Sequence, residues 1–116
     1  MEIVVTQSKP NVVKVAGEVD LTTSAKFRAA LDHAVSESPD GVIVDLSDVT
    51  YLDSTGIHTI LVVYRRLQDQ GGRLSLVVER PNVKKVLEIL HMDRLAGLEI
   101  CGDVISAEQA VAAIGN

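Results

Sequence analysis

Along this chain the apolar residues keep two rhythms in turn. Residues 2–7 (EIVVTQ) and 12–16 (VVKVA) are short β-branched runs joined by the polar turn Ser8-Lys9-Pro10-Asn11, which predicts a β-hairpin. The period then changes. Phe27, Ala30, Leu31, Ala34 and Val35 recur at i, i+3, i+4, i+7 and i+8, so a helix is predicted over 23–37 with Thr22 or Thr23 as its N-cap. Ser38-Pro39-Asp40-Gly41 stops it, because proline cannot continue the hydrogen-bond ladder. Residues 42–46 (VIVDL) are apolar except for Asp45, the pattern of a strand covered on both faces.

The stretch after it needs arbitration. Residues 60–64 (ILVVY) are apolar throughout and mostly β-branched, which suits a strand. Three features favour a helix over 54–70. Ile57, Ile60, Leu61, Tyr64 and Leu67 keep helical spacing. Asp53 or Ser54 makes a good N-cap, and Gly71-Gly72 a good stop. The segment is also too long for an ordinary strand. Arg65 and Arg66 suit the negative end of the helix dipole. The poor helix propensity of Val62 and Val63 implies a helix held by packing. A strand at 74–79 follows, then a helix from Asn82 to His91 with Val83, Val86, Leu87 and Leu90 on one face, then a short strand near 98–101. Ser106 to Gln109 reads as a capping box opening a last helix, with Ala110, Val111 and Ile114 inward.

The order is therefore β-β-α-β-α-β-α-β-α. It predicts an α/β fold with a mostly parallel central sheet, an antiparallel edge strand and helices packed on it. At 116 residues, one domain spanning 1–116 is expected. In such sheets the strand-to-helix loops share one end, where sites gather. Two polar loops fall there: Gly17-Glu18-Val19-Asp20, and Ser47 through Ser54. Asp20, Asp53 and Ser54 are thus expected to be neighbours.

Composition narrows the chemistry. Hydrophobic residues are 47% of the chain but aromatics only 3%, so the core is aliphatic and offers little surface for stacking bases or sugars. A net charge of −5 argues against a nucleic-acid or anionic-membrane partner. The single cysteine, Cys101, forms no internal disulfide and suits a reducing compartment. The first residues lack the basic and apolar regions of a signal peptide, and no apolar run approaches the ~20 residues of a membrane span. A cytoplasmic location is expected. One cysteine and three scattered histidines show no metal-ligand spacing, and no phosphate-cradling glycine motif is present, so no metal or cofactor is expected.

The knot Asp53-Ser54-Thr55-Gly56 between two apolar runs carries the remaining chemistry. One reading is structural: Ser54 caps the helix, Asp53 favours its positive end, Asp20 starts a turn before Thr22, and Gly56 belongs to the first turn or admits a close approach. A nucleophile is a second reading, since His58 lies one helical turn beyond Ser54. The first glycine of G-x-S-x-G is missing, however, and an imidazole on the same helix would need a third group to orient it. Arg80, Lys84 and Lys85 read as a solvated helix face or a secondary contact surface.

Three stretches resemble the STAS domain, and specifically bacterial anti-sigma factor antagonists: residues 15–20 (VAGEVD), 42–56 (VIVDLSDVTYLDSTG) and 81–95 (PNVKKVLEILHMDRL). The resemblance covers essentially the whole chain. It implies a non-enzymatic, cytoplasmic, monomeric switch in bacterial transcription regulation. In such proteins the first serine of D-S-[ST]-G is phosphorylated by a partner that is both anti-sigma factor and ATP-dependent serine kinase. The unphosphorylated form binds that partner and frees the sigma factor, and a serine phosphatase resets the phosphorylated form. Carried over, the phospho-acceptor is Ser54, and Asp20, Asp53, Ser54, Thr55, Gly56 and His58 form the partner-binding patch. His58 departs from the family, where a small residue, commonly glycine, is frequent. An accessory or scaffold subunit of a stress-signalling or lipid-transport complex is the alternative within the same family.

Overall fold

The computed structural model describes residues 3–112. The hairpin forms as β1 (Ile3–Lys9) and β2 (Val12–Val19), followed by α1 (Ser24–Glu37), β3 (Gly41–Leu52), α2 (Ser54–Asp69), β4 (Arg73–Val77), α3 (Pro81–Ile89), a 3-10 turn (Met92–Arg94), β5 (Leu98–Cys101) and α4 (Val104–Ala112). The strands stand in the order β1-β2-β3-β4-β5. β1 runs antiparallel to β2, and the other pairs are parallel. Each new parallel strand is added on the same side of the last one, so the crossover helices α1, α2 and α3 share one face. Their buried side chains (Phe27, Leu31, Ile60, Leu67 and Leu87 among them) close the main aliphatic core over Val13, Val15, Val44, Leu46, Leu74 and Leu76. The opposite face carries a smaller cluster of Val12, Ile43, Val77 and Ala107, the last from α4. β3 therefore has cover on both sides near Ile43, as its unbroken apolar run predicts.

β3 is longer than predicted. Residues 47–52 had the look of a loop, yet they continue the strand to Leu52, because Val49 and Leu52 turn inward to the main core. The polar pair Ser47-Asp48 masks this, since it falls where β3 advances three residues against two of β2, between Lys14↔Asp45 and Ala16↔Asp48. An extra residue of this kind kinks a strand without ending it. β2 likewise runs on to Val19, which is fully buried. The loop after β3 is thus reduced to Asp53.

The ambiguous apolar segment is helical, as its spacing requires, and buries Ile57, Ile60, Val63, Tyr64 and Leu67. Two other expectations need correction. The last helix opens at Val104, not Ser106, because the Asp103 carboxylate accepts the Ser106 N–H at 2.7 Å and takes the capping role. Ala107 is its buried residue, Ala110 and Val111 are half-buried, and Ile114 lies outside the described residues. Leu90 does not join the buried face of α3. The helix ends at Ile89, His91 turns left-handed at φ 58°, and Leu90 stays 51% exposed.

Candidate functional site

The start of α2 is set by one carboxylate. Asp53 Oδ1 accepts the main-chain N–H groups of Thr55 at 2.9 Å and Gly56 at 3.1 Å. Those are two of the donors a helix N-terminus leaves unpaired. Of the two candidate caps, Asp53 is the one used. Ser54 is therefore not the cap: it occupies the first helical position, exposed to solvent. Thr55 is half-buried, and its carbonyl accepts the Thr59 hydroxyl at 3.1 Å. Gly56 is buried, and a Cβ there would lie 2.6 Å from Leu52 Cδ1 and 2.7 Å from Val19 Cγ1. The glycine thus lets the first turn of α2 sit hard against the ends of β2 and β3. His58 is exposed one turn further on.

Asp20 is brought beside this turn by the backbone. The Asp53 N–H donates to the Val19 carbonyl at 3.1 Å. Asp20 follows Val19 and Ser54 follows Asp53, so a single main-chain bond holds the two positions side by side across 34 residues of sequence. The topological expectation that they are neighbours holds. Asp20 also does the structural work foreseen for it: Oδ1 accepts the Thr22 hydroxyl at 2.7 Å, the Thr22 N–H at 2.9 Å and the Thr23 N–H at 3.2 Å. The Thr22 hydroxyl bond, with the Thr23 and Thr22 main-chain N–H groups, holds its carboxyl below the ordinary carboxylate value against a smaller opposing effect of desolvation. Thr23 opens α1 without a side-chain cap bond and donates its hydroxyl to the Glu18 carbonyl at 2.8 Å.

Alongside Ser54 runs a groove of about 480 Å³. Ser54, Ile57, His58 and Leu61 form one wall, and Leu90, Met92 and Leu95 the other. The residues from the segment after α3 escaped the sequence reading as a site because they look like ordinary core positions. The signal was there in His91-Met92-Asp93-Arg94, whose polar interruptions end the helix and leave Leu90 outside it. Leu21 and Tyr51, 75% and 51% exposed, are further apolar side chains near the same end of the sheet. Arg80, Lys84 and Lys85 are exposed on and before α3, as a solvated helix face requires.

The arrangement is a poor nucleophile's site. Asp20 turns Oδ1 to Thr22 and Thr23, Asp53 turns Oδ1 to the Thr55 and Gly56 N–H groups, and among the described residues neither is hydrogen-bonded to an imidazole. Among the described residues no cluster of His, Cys, Asp and Glu is placed to hold a metal ion. Burial pushes the Cys101 thiol up, away from the reactive thiolate. What the geometry offers is an exposed hydroxyl on a rigid turn, between acidic residues and an apolar groove.

A family model described as the STAS domain matches residues 2–107. The chain belongs to the STAS domain family. Its relatives are regulators. An anti-sigma F factor antagonist of Paenibacillus polymyxa is 27% identical over 79 residues, covering 67% of this chain and 68% of the relative. An anti-sigma-B factor antagonist of Listeria monocytogenes is 31% identical over 77 residues, covering 65% and 66%. The crystal structure of an anti-sigma factor antagonist from Mycobacterium paratuberculosis superposes with a TM-score of 0.83 at 25% identity, over 95% of this chain and 94% of that one. The resemblance read from the D-S-T-G stretch and its flanks is thereby borne out, and this STAS domain is a regulatory protein, not an enzyme. No helix among its described residues is long and apolar enough to cross a membrane.

Proposed function

We propose that this STAS domain, residues 1–116 acting as one cytoplasmic unit, is an anti-sigma factor antagonist switched by phosphorylation of Ser54. Unphosphorylated and monomeric, it binds an anti-sigma factor that is also a serine kinase and displaces a sigma factor. The kinase, using its own bound ATP, phosphorylates Ser54; a serine phosphatase restores the binding form. Asp20, Asp53, Ser54, Thr55 and His58 form the contact patch; Gly56, expected in it from the sequence, is buried against Val19 and Leu52 and sets the turn beneath the patch instead. The observation that carries this reading is the exposure of Ser54 on a turn whose cap is a different residue.

The physics favours release by repulsion. A phosphate adds about −1.5 to −2 charge at neutral pH. Here it joins Asp53 and Asp20 on a chain already at −5. Pressed against a packed or acidic partner surface, such charge costs binding several kcal/mol. A cost of about 3–4 kcal/mol corresponds to a few-hundred-fold loss of affinity.

Co-purification from the producing cells, followed by phosphopeptide mass analysis, identifies the partner and the modified residue. Ser54→Ala is expected to abolish phosphate incorporation and to retain partner binding. Loss of incorporation in Thr55→Ala with full incorporation in Ser54→Ala would overturn the assignment.

A further inference from the structure

His58 takes no part in capping α2 or filling its core, yet it shares one wall of the groove with Ser54. The two residues are separated by one turn, a spacing that puts their Cβ atoms about 5–6 Å apart on the same helix face. The Asp53 carboxylate already occupies the Thr55 and Gly56 N–H groups. A phosphate on Ser54 therefore finds the usual anion-binding donors of a helix N-terminus largely taken. The imidazole one turn on is a donor that the cap leaves available. We propose that His58 is a phosphate clasp: when Ser54 carries a phosphoryl group, a protonated His58 donates a ring N–H to it, and the pair lies across the mouth of the groove. This rests on Ser54 being the modified residue.

The clasp has consequences that repulsion alone lacks. An anion N-terminal to a cation at i, i+4 is the favourable orientation on a helix. Folding the phosphate back toward His58 obstructs the groove between Ile57, Leu61, Leu90, Met92 and Leu95 as well as charging its edge. It also makes the switch depend on pH, because the imidazole must be protonated to hold the phosphate best. The walls of the groove supply no ionisable side chain besides His58. Nearby charges are Asp53 at the cap, Asp20 beside it, and exposed His91, Asp93 and Arg94 on the segment that forms the far wall.

The test installs phosphoserine at position 54 of the full chain during translation and follows the histidine ring protons by NMR across pH. His58 is expected to titrate about 0.5–1 pH unit higher in the phosphorylated chain, with His33 and His91 unmoved. By reciprocity the phosphoserine 31P signal titrates lower in the parent than in His58→Gln. An identical His58 titration in both forms overturns the clasp. So does a 31P titration that His58→Gln leaves unchanged, which would give the role to another donor such as Arg94. Because the phosphate is installed, the result stands apart from the proposed function. A chain that never acquires phosphate on Ser54 in its own cells sinks the switch, not the clasp.

Discussion

Replacing Gly56 with alanine asks whether the first turn of α2 is pinned to the sheet as tightly as the geometry says. The new methyl group would lie 2.6 Å from Leu52 Cδ1 and 2.7 Å from Val19 Cγ1, about 1 Å inside the favourable carbon–carbon separation. Leu52 can swing its side-chain end aside. Val19 is β-branched, fully buried and stiff, so it cannot. Two effects oppose each other. Alanine is the better helix former by up to ~1 kcal/mol, a benefit reduced in the first turn, where the intrahelical bonds are incomplete. Overpacking a filled site costs about 1–3 kcal/mol. Overpacking should win, for a net loss of about 1–2 kcal/mol. With a urea m-value of roughly 1–3 kcal/mol/M, the unfolding midpoint drops by about 0.3–2 M. The displaced turn also strains the Asp53 N–H···O=C Val19 bond, 3.1 Å in the parent, so the Asp53 amide exchanges faster. A variant as stable as the parent, with that amide equally protected, would refute the claim that Gly56 exists for close approach.

Asp20 titrates below its ordinary value because it is hydrogen-bonded in the fold; its contribution is fully present above the unfolded pKa and is lost as pH falls through the lower folded one. Asp20→Asn should therefore flatten the acid limb of a stability–pH curve below about pH 4, and an unaltered limb would remove Asp20 from that linkage. Ser75 Oγ is buried without a hydrogen-bond partner in the middle of β4. Ser75→Ala should stabilise by roughly 0.5–2 kcal/mol in urea titration, since an unsatisfied hydroxyl is removed and little volume with it; a loss of stability would reveal a partner such as bound water. Phosphoserine installed at 54 should change the unfolding free energy by under about 1 kcal/mol, because dipole attraction of ~0.3–1 kcal/mol is opposed by the nearby carboxylates. A change of several kcal/mol would mean that the phosphate remodels the fold.

The fold was legible where one period ruled a segment. α1 and α2 follow their apolar spacing, and the parallel pairing of β2 through β5 follows from alternating strands and helices. Legibility failed where a polar residue had two possible jobs. Ser47 and Asp48 look like loop residues, but the Ser47 hydroxyl and N–H both donate to Asp45 Oδ1, at 2.6 and 3.0 Å, at an irregular point of a strand that continues. Ser106 looks like a cap, but Asp103 lies three residues earlier and a carboxylate accepts the N–H instead. At the site, the proximity of Asp20 to Ser54 was predictable from topology alone. The groove was not, because the burial of Leu90 depends on where α3 stops, and helix ends are set by local backbone choices such as the left-handed His91.

The division of labour between Asp53 and Ser54 explains why a hydroxyl at this junction is suited to modification. Were Ser54 the cap, its oxygen would hold the main-chain N–H groups of the first turn, and any group attached to it would compete with the helix it starts. With the carboxylate of Asp53 on Thr55 and Gly56, the start of α2 is satisfied whatever Ser54 carries. Gly56 fixes that turn against Val19 and Leu52 from below, and the Asp53–Val19 bond fixes it from the side. The hydroxyl is then held in place by neighbours that do not need it. A charge added there acts on whatever lies above the surface, and the sheet beneath has no reason to rearrange.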